Sequence, residues 1–139
     1  MQTAPPAQTS GSAKIRWPLA LLALFFASAG VLHFVAPAPY ERIVPAWLPN
    51  APLLVAVSGA AELAGAIGLL LARWRRPAAW GLITLLVAVF PANVQMLNLA
   101  IAAHATPATR AALWFRLPLQ GLIIWWVWIS AIRRRHAVV

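Results

Sequence analysis

Four apolar runs divide the chain, at about 17–36, 53–72, 77–102 and 113–132. Each approaches the roughly 20 residues that a helix needs to cross a hydrocarbon core about 30 Å thick. The pattern predicts an all-α protein, a bundle of four transmembrane helices. Between the first two runs, PAPYERIVPAWLP carries prolines 37, 39, 45 and 49 and cannot continue a long helix, so 37–52 reads as a compact outer loop. Pro77 suits the first turn of the third helix. Pro91, inside that helix, is expected to kink it and to free a backbone carbonyl one turn earlier. Residues 103–112 read as a short polar link. Residues 1–16 lack any apolar period and read as a disordered tail, and 133–139 as a basic one. Ala27-Ser28-Ala29 resembles a signal-peptide cleavage site, but the apolar run continues through Val31, Leu32, Phe34 and Val35, as a retained span would.

The few polar residues inside these runs fall at one depth. LLVAVSGAAELAGAIGLLLA, the second run, has Glu62 near its middle as its sole ionisable residue. A charge there costs about 2.5 to 3.5 kcal/mol to insert. Small residues around it, Ser58, Gly59, Ala61, Gly65 and Gly68, recur at helical spacing and allow a neighbouring helix to come close. Rising about 1.5 Å per residue, the other spans bring His33, then Asn93, then Arg116 and Gln120 to the same outer layer. Ser58 with Glu62, and Arg116 with Gln120, are i,i+4 pairs and share a helix face. The inner halves carry almost nothing but Leu, Ile, Ala, Val and Trp. Polar groups facing lipid would lack partners, so the layer is expected to converge on the bundle interior as a pocket open toward the outer face. His33, Ser58, Glu62, Asn93, Arg116 and Gln120 would line it, with Tyr40 and Trp47 of the Pro-rich loop as lid candidates.

Composition narrows the uses of such a layer. Hydrophobic residues make up 63 % of the chain and charged residues 9 %, against roughly 45 to 50 % and 25 % in soluble domains. The net charge of +9 does not form one patch, which argues against a nucleic-acid partner. It divides by side: Lys14, Arg16, Arg73, Arg75, Arg76, Arg133, Arg134 and Arg135 against Arg42, Arg110 and Arg116, eight to three. That bias predicts both termini in the cytoplasm (N-in/C-in) and a multi-pass protein of the bacterial inner membrane, with the lipid bilayer as its first partner. The tryptophans near the span ends agree. With no cysteine, the chain has no disulfide, thiol relay or thiolate-held cluster of its own.

His33, His104 and His136 sit on separate segments, so no metal site is expected. The polar layer admits a structural network, a pocket for a small ligand or quinone headgroup, or a thin proton relay. Glu62 and His33 as an acid/base pair would make a small membrane enzyme. No cofactor is evident beyond the quinone, and homo-oligomerisation is left open.

These same residues carry a resemblance. AGVLHF at 29–34, IVPAWLP at 43–49, SGAAELAGAIGLLL at 58–71, GLITLLVAVFPANVQM at 81–96 and RLPLQ at 116–120 together resemble the DoxX family of small four-helix membrane proteins. The resemblance covers about 29–128. It implies a membrane subunit beside a partner oxidoreductase or in a stress response, the family's namesake belonging to a thiosulfate:quinone oxidoreductase. Distant eukaryotic relatives are linked to the assembly of membrane receptors. The resemblance implies no catalytic residue set.

Overall fold

A computed structural model describes residues 17–133, and the two tails beyond them, with their expected disorder and basic C-terminus, lie outside the described residues. Every regular element of the described chain is helical: α1 Trp17–Val35, α2 Pro37–Glu41, α3 Ala51–Leu70, α4 Arg75–Ala102 and α5 Pro107–Val127, the last continuing as a π-helical turn, Trp128–Arg133. Four of these elements, counting α5 with its π-helical end, are long and apolar enough to cross a membrane.

Local chemistry sets each boundary. Pro37 opens the short α2, a turn and a half of helix inside the segment expected as loop. Asn50 caps α3 from the left-handed region (φ 52°), its side-chain oxygen accepting from the Leu53 amide at 3.3 Å. Asn is among the few residues that tolerate this backbone and can also cap. At the other end of α3, Arg75 Nε donates to the Leu69 carbonyl at 3.0 Å, so the basic turn covers an open helix end. α4 stops at His104 (φ 51°), where Ala105 N–H reaches the Ala100 carbonyl and His104 N–H the Ile101 carbonyl, the paired bonds of a Schellman ending.

Here the structure corrects the sequence reading. Thr106 accepts from the Thr109 amide at 3.2 Å and Pro107 takes the first helical position, so α5 begins six residues before 113 and most of the expected polar link is helix. Arg116 consequently lies about 14 Å inside α5 rather than within its first two turns.

Packing is sequential: α1 lies on α3, α3 on α4 and α4 on α5, while the π-helical turn returns to touch α1 and α4. The main core gathers at the end of the bundle that holds the basic turn. Leu19, Leu22 and Phe26 of α1 meet Ala66 and Leu69 of α3, Ala79, Leu82 and Leu86 of α4, and Val127 and Ala131 beyond. Val55 and Leu97, buried toward the other end, stand outside that cluster. α3 also packs closely on α4, where Gly65 faces Leu82 and Gly68 faces Ala78.

Candidate functional site

The α1–α3 and α4–α5 pairs each carry one polar lock. The α1–α3 lock is built on glycine. A Cβ on Gly30 would lie 2.8 Å from the Gly59 carbonyl oxygen, and one on Gly59 would lie 2.7 Å from His33 Cβ, distances real Cβ atoms do not adopt. Gly30 and Gly59 thus let two backbones approach as no other residue would. His33 and Glu62 each follow such a glycine by three residues, on the same helix face. Their side chains meet at the crossing, His33 Nδ1 lying 3.3 Å from Glu62 Oε2, with both largely buried.

The hydrogen bonding of this pair is incomplete. His33 Nδ1 also lies 2.8 Å from the Ala29 carbonyl, which can only accept, so this bond forms in the tautomer that carries the proton on Nδ1. Glu62 Oε2 is left buried with no hydrogen-bond partner. A buried oxygen in this position costs about 1 to 3 kcal/mol relative to one that receives a donor. Tyr40, projecting from α2, stacks on the His33 ring with centroids 4.0 Å apart and planes 26° apart. The Pro-rich segment therefore places one of its two aromatic lid candidates over the histidine, whereas Trp47 remains 72 % exposed. Ser58 is half-buried one turn before Glu62.

The α4–α5 lock is a directed chain of donors. Arg116 Nε donates to Asn93 Oδ1 at 3.1 Å, Asn93 Nδ2 donates to Gln120 Oε1 at 2.6 Å, and Gln120 Nε2 donates to the Leu86 carbonyl. Pro91 does not account for the last acceptor. Lacking an N–H, it cannot bond the Val87 carbonyl and disturbs the helix there. The expectation was a carbonyl freed by that proline. The Gln120 amide lands one residue earlier, on Leu86. Gln120 is buried while Arg116 is exposed, so the chain runs from a charged surface group to a buried backbone oxygen.

Of the six residues expected to share one layer, five are brought together, His33 with Glu62 and Asn93 with Arg116 and Gln120, while Ser58 joins neither group. The cation beside Glu62 is His33, if protonated, and not Arg116. Gly30, the Ala29 carbonyl and the Leu86 carbonyl belong to the locks but escaped the sequence reading. A signal existed for the first, because Gly30 precedes His33 as Gly59 precedes Glu62. Backbone acceptors leave no such trace. No group of three or more His, Asp or Glu side chains comes together among the described residues.

Five helices, four of them long and apolar enough to cross a membrane, define a small all-helical protein of membrane type in its composition. Its family is shown by a match over residues 22–131, well over half the chain: it belongs to the family described as a domain of unknown function, DUF8561. No curated protein and no solved structure matches it.

Proposed function

We propose that this chain is a DoxX-like multi-pass protein of the bacterial inner membrane, with both termini cytoplasmic, acting as a non-catalytic membrane subunit. In this reading it holds the polar head of a quinone-like or other small amphipathic ligand at Glu62, for a partner oxidoreductase or a stress-response complex. One observation carries it: Glu62 Oε2 is buried at a helix crossing without a donor, and in the tautomer that carries the proton on Nδ1 the neighbouring imidazole donates it to Ala29. A hydroxyl-bearing head, such as a quinol, would supply the missing donor to a carboxylate. A protonated Glu62 would instead donate to a quinone carbonyl. Tyr40, already stacked on His33, is placed to flank such a head group.

A second reading is favoured by the other lock. The Arg116, Asn93, Gln120 and Leu86 chain joins α4 to α5 with a partner at each step, as expected for an assembly or interaction protein whose polar layer only holds helices together. Native mass spectrometry on gently solubilised protein separates the two. Under the ligand reading the wild type carries a small molecule that Glu62→Gln lacks, with the fold intact. An empty wild type with an equally stable variant supports the structural reading. Topology has an independent check: a reporter active only outside the cytoplasm, fused after Val139, is expected to stay silent, and activity there contradicts the cytoplasmic C-terminus.

A further inference from the structure

Between α3 and α4, on the side of the basic turn, runs a groove of about 550 Å³. Its walls are apolar: Ala61, Ala64 and Gly68 of α3, Leu71 and Trp74 of the turn, and Gly81 of α4. From Ala61 to Leu71 it follows α3 for about 15 Å, half of a hydrocarbon core about 30 Å thick. The groove is therefore one leaflet deep, and it begins at the residues that form the turn.

The mouth is positively charged for two reasons. Arg73 and Arg76 flank the groove-lining Trp74 in the chain, are exposed, and have no acidic partner among the described residues. Trp74, which lines the groove, is also the N-cap of α4; it offers no side-chain cap, and the first turn of α4 contains no acidic residue. The positive end of a 28-residue helix thus opens at Trp74, within two residues of both arginines in the chain. The chain's two acidic residues are elsewhere, Glu41 on α2 and Glu62 against His33.

We infer that this groove and its arginine mouth form a binding site for an anionic glycerophospholipid, with the phosphate held by Arg73 and Arg76 and one acyl chain lying along α3 and α4. Basic groups at the head of an apolar cleft between spans are the chemistry that recognises such lipids. The site rests on the membrane-spanning part of the proposed function and is independent of a ligand at Glu62.

Native mass spectrometry of the full chain in detergent, titrated with phosphatidylglycerol or with phosphatidylcholine of the same acyl chains, tests it. Wild type is expected to prefer phosphatidylglycerol roughly tenfold or more, and the double variant R73Q/R76Q to lose that preference while keeping weak binding of both lipids. Gly81→Leu adds bulk where a Cβ meets nothing within 4 Å, so it should leave the fold intact and weaken both lipids alike. Equal wild-type affinity for the two lipids overturns the site, as does a preference that survives R73Q/R76Q. A wild-type dimer that Gly81→Leu converts to a monomer also overturns it, by assigning the groove to a second copy of the chain. Should R73Q/R76Q fail to accumulate, the wild-type preference and its decline with rising salt decide the matter. Extraction of the wild type from membranes by alkaline carbonate would overturn the membrane reading itself, separately from lipid selectivity.

Discussion

The α1–α3 pair and the α4–α5 pair solve the same problem, a polar contact between apolar helices, in different ways. The first closes on two glycines and leaves a carboxyl oxygen without a donor. The second passes hydrogen bonds from Arg116 through two amides to a backbone carbonyl. Buried polar groups are normally satisfied, and a network with every member paired specifies helix packing, whereas an unpaired member marks a place where something else can bind. In the proposed function, this difference corresponds to holding by α4–α5 and binding by α1–α3.

The largest loss is expected where both pairs share one core. Phe26 is fully buried at the packed end, and Phe26→Ala should cost about 3 to 5 kcal/mol, read as a lower melting temperature in detergent that loosens both pairs together. Gly59→Val drives atoms into His33 and Phe34 and should cost about 1 to 3 kcal/mol. Cross-linking between cysteines introduced on α1 and α3 should then fall, while a matching α4–α5 cross-link persists. Gln120→Leu reverses that outcome. It strands the Asn93 amide and should cost about 1 to 2 kcal/mol, weakening the α4–α5 cross-link alone. The smallest stability effect belongs to Glu62→Gln, within about 0.6 kcal/mol, since the replaced oxygen makes no hydrogen bond to lose.

Much of this was legible before any coordinates. The four apolar runs follow from composition alone, and helical rise brings His33 near Glu62 and Asn93 near Arg116 and Gln120, as their contacts show. The division of that layer into two locks was not legible, because contact between spans depends on which helix face each residue occupies, and uniformly apolar runs leave that face unmarked. The start of α5 was misplaced for a different reason. His104, Thr106, Pro107, Thr109 and Arg110 suggest a polar link, but Thr106 followed by Pro107 is a helix-opening signal, and it prevails over the polar residues that follow. The π-helical end at Trp128–Arg133, where Arg133 lies 5.6 Å from the Trp128 ring, has no sequence mark we recognise.

The assignment of binding to one pair and holding to the other meets its most direct test in one paired measurement. Ligand occupancy by native mass spectrometry and melting temperature would be recorded together for wild type, Glu62→Gln and Asn93→Leu. The expected result is a crossed pattern: Glu62→Gln loses the bound molecule and keeps the wild-type melting temperature, whereas Asn93→Leu keeps the molecule and melts lower. Loss of stability in Glu62→Gln with unchanged occupancy, or an equal loss of occupancy in both variants, would contradict the division.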